Sequence, residues 1–270
     1  MSLQFFQDSE INNNPAANRA FFYGDAVWVS FYIHNGRLIM AEDCYFFLMA
    51  SMRKMRMNIP LSYTLEFFQD LFEEKILSNG ISCGRIRFMV YRKQQHPLQK
   101  AEVNYYFELQ SEADPLQLNA EVELDLIKEL TVSNNLLSNL QVHSPENIYG
   151  EIYASENDLD DVIFLNSSKR IARSIHGNLL LLEGDTIRVP KQTEGAYISP
   201  LMESFVTHLH KSKSARIEEA EIIAFETQKA EEILIFSEAK GISPVRKIRN
   251  KEFGHSRFAA MIDSWRETFS

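Results

Sequence analysis

Basic residues, cysteines and long apolar runs are all scarce in this chain of 270 residues. Its 28 lysines and arginines face 37 aspartates and glutamates, a formal net charge of −9. That balance argues against a surface built for nucleic acid or an anionic membrane. The two cysteines, Cys44 and Cys83, form neither a CxxC pair nor a metal-ligand spacing. They read as buried or free thiols in a reducing compartment, not as a disulfide scaffold. No apolar stretch approaches the roughly 20 residues that span a bilayer. Residues 1–19, MSLQFFQDSEINNNPAANR, lack a basic region followed by an apolar core, so they do not read as a secretory signal. The seven histidines are scattered, with His208 and His210 at i, i+2, and neither GxSxG nor HExxH occurs. The expectation is a soluble, cytoplasmic protein with no nucleic-acid or membrane partner.

What is present is a hydrophobic content of 45%, enough for one large core or two modest ones. Residues 21–36, FFYGDAVWVSFYIHNG, alternate with large side chains on both faces, and His34-Asn35-Gly36 marks a hairpin turn. Residues 41–57 read as a helix with Leu48, Met52 and Met55 at i, i+4, i+7. A second helix starts at Ser62, with Leu65, Phe68 and Phe72 on one face and Asn79-Gly80 as its stop. Strand GRIRFMVYR carries Arg85 and Arg87 on the face opposite Ile86, Phe88 and Val90. A solvated, ion-paired face is the simpler reading for those arginines, an anion site the sharper one. Strand AEVNYYFELQ follows, and Ala113-Asp114-Pro115 reads as a linker. The expected division is a small N-terminal α/β domain over residues 1–113, a linker at 114–118 and a larger C-terminal domain over 119–270.

The second half opens with strand AEVELDLIKEL. Residues 136–166, LLSNLQVHSPENIYGEIYASENDLDDVIFLN, then read as an extended segment, a helix and a strand. Ser144 caps the helix, Pro145 suits its first turn, and Ile148 and Ile152 give it an apolar face. SSKRIARSIHGNLLLLEGDTIRVP is a pair of strands folded back at Glu183-Gly184-Asp185, in which Arg173 taken alone is a solvated strand residue. Ser199 and Pro200 start another helix with Leu201, Phe205 and Leu209 inward. Residues 211–221 read as a charged surface stretch and EEILIFS as a buried strand. A last helix carries Phe258, Met261, Ile262 and Trp265.

Several of these stretches together resemble one family: YGDA, the LMASM helix, HGNL with its hairpin, and KGISPV. They are similar to the class IV aminotransferases, fold-type IV enzymes dependent on pyridoxal phosphate. Branched-chain and D-amino-acid aminotransferases and aminodeoxychorismate lyases belong there. The resemblance covers the chain from about Ala20 to the last helix. It implies an α/β (α+β) fold of two domains, like D-amino-acid aminotransferase, with a cleft between them. It also implies a homodimer and an amino acid or keto acid as ligand. The family's Schiff-base lysine lies just before the helix that Ser144 caps. Gln141 stands there, and no lysine occurs between Lys128 and Lys169. Phe47 aligns with the arginine that grips the cofactor phosphate, and Cys44 with the histidine that starts that helix. Arg173 aligns with the glutamate that keeps the pyridine nitrogen protonated. Ser199-Pro200 replaces a glycine and a β-branched residue whose backbone N–H groups bind phosphate, and Ser237 falls near the same phosphate. Glutamine has no basic nitrogen, and phenylalanine offers nothing to a dianion.

Three readings follow from the resemblance. The first is a catalytically degenerate member that keeps the fold and has a changed or absent ligand site. The second is an active aminotransferase or lyase whose lysine comes from elsewhere, Lys240 or Lys128. The third is a noncatalytic anion or metabolite site using Arg85, Arg87 and Arg173.

Overall fold

The computed structural model describes residues 3–7, 19–93 and 95–270. Much of the polar opening segment lies outside them. The chain divides into two compact units between Pro115 and Leu116, and the short segment Leu140–His143 groups with the first unit. A division by linear sequence has no place for that returning segment.

In the first unit, five strands form an antiparallel sheet in the order β1-β5-β4-β2-β3. They are β1 (Leu3–Gln7), β2 (Ala26–His34), β3 (Arg37–Ile39), β4 (Gly84–Arg92) and β5 (Val103–Ser111). Helices α1 (Arg19–Tyr23), α2 (Ala41–Lys54) and α3 (Leu65–Asn79) complete the unit. The second helix expected to begin at Ser62 starts at Leu65, because the Thr64 side chain accepts from Phe67 N–H and fixes the first turn there. Asn35 and Gly36 both take positive φ, as the tight turn between β2 and β3 requires. The core is aromatic: Phe31, Phe68, Phe72 and Phe88 interlock, with ring centroids 4.8 Å apart for Phe31–Phe72 and 5.2 Å for Phe68–Phe88. At one end of β2, buried Asp25 is ion-paired with Arg19 at 2.8 Å and with Arg92.

In the second unit, β6 (Val122–Val132), β7 (Asp161–Asn166), β8 (Ile171–Arg173), β9 (Gly177–Glu183) and β10 (Thr186–Pro190) join β11 (Arg216–Ala220), β12 (Glu232–Ser237), β13 (Gly241–Ile248) and β14 (Lys251–Glu252). The nine strands run in the order β11-β10-β9-β12-β13-β6-β7-β8, with β14 on β13. Pairings β6–β7, β6–β13 and β10–β11 are parallel and the others antiparallel. Strands β7, β9 and β12 are buried along almost their whole length, which explains their continuous apolar runs. Helices α4 (Pro145–Glu156), α5 (Pro200–Ser212) and α6 (Ser256–Arg266) flank the sheet.

One expectation is corrected. Ile148 and Ile152 are 50% and 54% exposed, so the apolar face of α4 points outward. The helix packs through Gly150 and Ala154, because Phe164 and Ile175 of the sheet side leave room only for small residues. Residues 211–221 are largely exposed, as expected of a charged surface stretch, and include the edge strand β11, whose backbone pairs with β10. Its charged side chains suit an edge that must not recruit another strand.

Helix α6 has no side-chain cap of its own. Buried Glu232 of β12 does that work from a distance, accepting from Arg257 N–H at 3.0 Å and Phe258 N–H at 2.9 Å. Two stability measurements follow. Glu232→Ala should lower the unfolding free energy by about 2 kcal/mol in urea titrations, the scale of a lost cap with charge-assisted hydrogen bonds. Helix propensity alone favours Gly150→Ala by roughly 1 kcal/mol. A Cβ there would lie 2.7 Å from Phe164 Cζ, however. Overpacking of about 1–3 kcal/mol should win and give a net loss. A stabilised Gly150→Ala protein would contradict the close approach of α4 to β7.

Candidate cofactor site

Gln141 lies in the returning segment, half-buried, with its backbone tied to the first unit. Its carbonyl accepts from Trp28 N–H at 3.0 Å. The short strand β3 covers β2 only along residues 32–34, so the backbone donor at Trp28 needs another acceptor, and Gln141 meets it. Beside it, His143 packs against Gly24 so closely that a Cβ at Gly24 would fall 2.7 Å from His143 Cβ. Gly24 also takes φ +60, so the YGDA motif needs its glycine for both space and conformation. Phe47 is a half-buried residue of α2 in the first unit, and Cys44 on the same helix is fully buried.

In the second unit, Arg173 ends β8 with its guanidinium 5.0 Å from the Phe164 ring centroid. It donates to the carbonyls of Ser174 at 2.9 Å and Ile175 at 2.6 Å. Burial lowers its pKa to about 10, against the opposing pull of Glu146 and Asp161. It therefore stays cationic at neutral pH, and it is not the solvated strand residue that the isolated sequence suggests. Asp161 is the buried carboxylate of this neighbourhood. Burial raises it, while N–H donors from Ile175 at 3.0 Å and Val162 at 2.7 Å pull it down. Among the described residues, Ser174 Oγ and Asn178 Nδ2 are buried and make no hydrogen bond within the protein.

At the start of α5, Ser199 Oγ accepts from Met202 N–H at 3.2 Å, and Pro200 has no N–H to offer. One residue earlier, Ile198 N–H donates to Asn139 Oδ1 at 2.7 Å. Asn139 went unnoticed in the sequence, since nothing local marks an amide that reaches a loop 59 residues away. Ser237 ends β12, and its hydroxyl accepts from Lys240 N–H at 3.0 Å. Both lysines considered as surrogates are exposed, and Lys240 Nζ donates to the Asp160 carbonyl at 2.6 Å.

The arginines of β4 belong to the first unit and face its own carboxylates. Arg85 lies 3.5 Å from Glu112, and Arg87 lies 4.0 Å from Glu108 with its guanidinium 4.4 Å from the Trp28 ring. Arg173 is in the other unit. A recess of about 270 Å³ in the second unit, lined by Leu126, Phe225 and Arg249 among others, includes none of the residues above.

Chemically, Gln141 provides a carboxamide with no basic nitrogen, so it can neither condense with an aldehyde nor carry a proton from carbon. Arg173 provides a fixed cation. The loop and helix start at residues 198–202 have two backbone donors already bonded within the protein and a third removed by proline.

Solved structures share this fold across nearly the whole chain. A candidate 4-amino-4-deoxychorismate lyase of Legionella pneumophila superposes with a TM-score of 0.84 at 17% identity, covering 97% of each chain. A branched-chain aminotransferase of Thermoproteus uzoniensis, determined with norvaline, gives 0.84 at 15% identity over 99% of this chain and 94% of its own. A hypothetical aminotransferase of Mycobacterium tuberculosis in its PLP-bound form gives 0.82 at 12% identity, covering 98% and 99%. The profile of the family described as amino-transferase class IV matches residues 31–248. With that match over most of its length, the chain belongs to the class IV aminotransferase family.

Proposed function

We propose that this protein keeps the class IV aminotransferase scaffold without Schiff-base catalysis, as a noncatalytic or altered-ligand member. The observation that carries this reading is Gln141 in the segment where the family has its lysine, with no lysine from 129 to 168. Pyridoxal phosphate held as a Schiff base does not fit the residues present. The amine is missing, and a half-buried cation at Arg173 opposes a protonated pyridine nitrogen. The Ile198 N–H and Met202 N–H groups are bonded to Asn139 and Ser199. The exposed positions of Lys128 and Lys240 weigh against a surrogate base from either.

The ligand class that suits the scaffold is an amino acid or keto acid bound noncovalently, in keeping with the norvaline in the Thermoproteus relative. A cytoplasmic location accords with the free thiols Cys44 and Cys83. No helix among the described residues is long and apolar enough to cross a membrane. The reading includes a homodimer. In its support, Ile148, Tyr149 and Ile152 form an exposed apolar row on α4, of the kind that marks an association surface.

Two experiments test this reading. Purified protein mixed with pyridoxal phosphate and reduced with borohydride should show no stoichiometric adduct by intact mass. A permanent mass gain mapped to one lysine, together with a yellow aldimine band, would restore the enzyme and identify its base. Light scattering should give twice the chain mass for the native protein and a shift toward the single chain for Ile148→Asp/Ile152→Asp. A native protein that is monomeric at tens of micromolar, roughly the range where a weak dimer of Kd about 1 μM would still assemble, refutes the dimer.

A further inference from the structure

We propose that His34, Cys83 and Asp114 form a binding site for a divalent transition metal, zinc above all, at one end of the first unit's sheet. Their ligand atoms (an imidazole nitrogen, the thiol sulfur and a carboxylate oxygen) all lie within 4.8 Å of one another. The three residues are far apart in sequence, so ligand spacing cannot reveal them, and the sheet brings them together. Ile33 pairs with Gly84 across β2–β4, so the next residue outward on each strand, His34 and Cys83, stand opposite each other. Gly84 pairs with Ser111 across β4–β5, and the chain leaving β5 carries Asp114 back toward His34. His34 Nδ1 and Asp114 Oδ1 are 3.0 Å apart.

That separation matches the geometry of a metal site. Two ligands about 2.0 Å from a tetrahedral zinc lie about 3.3 Å apart, and a thiolate sits at about 2.3 Å. The 3.0 Å nitrogen–oxygen edge is close to that figure, and with the Cys83 sulfur within 4.8 Å of both atoms the three can form one face of the ion's coordination. Imidazole, thiolate and carboxylate together are a donor set for zinc rather than for magnesium or calcium, which take oxygen. The other imidazole nitrogen is also held: Asn35 Nδ2 lies 3.0 Å from His34 Nε2. With the metal on Nδ1, His34 Nε2 carries the proton and the Asn35 amide turns its oxygen to accept it, the outer-shell support that metal-bound histidines have. Binding releases the thiol proton of Cys83 to solvent, with no oxidation or reduction.

Burial favours the site over a surface coincidence. His34 is 8% exposed, and Cys83 and Asp114 are partly buried. The one nearby cation of β4, Arg85, faces Glu112 at 3.5 Å, so its charge is answered by another carboxylate. Asp114 is the penultimate residue of the segment Met1–Pro115 of the first unit, so the metal would anchor the end of that segment to β2 and the start of β4.

Cobalt is the probe. Full-length protein stripped with chelator and titrated with Co²⁺ should bind one equivalent, with a thiolate-to-cobalt charge-transfer band and the visible bands of a four-coordinate ion. Cys83→Ser should abolish the charge-transfer band although Cys44 remains, and Asp114→Asn should weaken binding by about tenfold or more. As a check that needs no substitution, Zn²⁺ should slow alkylation of Cys83 in the native protein, read by peptide mass. No band at saturating cobalt, the same band in Cys83→Ser, or an alkylation rate unchanged by zinc would each overturn the site.

Discussion

The close seat of α4 on β7 is the contact on which much of the second unit depends. Gly150 lies against Phe164 with no space for a methyl group, and Ala154 continues the same small face. Interiors are packed densely enough that such a fit has few alternatives. It decides which side of α4 is buried, and so leaves Ile148 and Ile152 outside. It also holds the Phe164 ring where the Arg173 guanidinium rests on it, flanked by Glu146 of the helix. One pair of small residues thus sets the helix, the outward apolar row and the surroundings of the Arg173 cation.

That cation is held by partners within the protein. An arginine drawn partly out of water needs hydrogen bonds and compensating charge, and Arg173 has both in the Ser174 and Ile175 carbonyls and in Asp161 and Glu146. The helix start tells the same story with neutral groups. A side-chain amide from Asn139 takes the Ile198 N–H, and Ser199 takes the Met202 N–H. Donors that in an anion site would await a ligand are bonded inside the protein instead. Gln141, Arg173 and Ser199-Pro200 are each held in a consistent local structure by partners within the protein.

The first unit follows a different logic. Its sheet is held by an aromatic core whose rings come from α3 and three strands, and its polar features sit at the strand ends. At one end Asp25 gathers Arg19 and Arg92; at the other His34, Cys83 and Asp114 converge. Strand ends are where a sheet can bring distant residues together without burying their backbone groups unpaired.

By itself, the sequence determined the elements whose signals are local. Alternation in β2 and β4, the Asn35-Gly36 turn, the Ser199-Pro200 helix start and the apolar runs of β7, β9 and β12 were all legible, as was the absence of a lysine near Gln141. Period, capping and turn chemistry act over a few residues, so a single chain displays them. The tertiary structure alone decided the rest. It joined Leu140–His143 to the first unit through Trp28, turned the isoleucines of α4 outward and drew Arg173 onto Phe164. It paired Ile198 with Asn139 and brought His34, Cys83 and Asp114 within reach of one ion. Each of those outcomes depends on which strands become neighbours and how closely their faces approach, and long-range pairing leaves no periodic trace in the residues that make it.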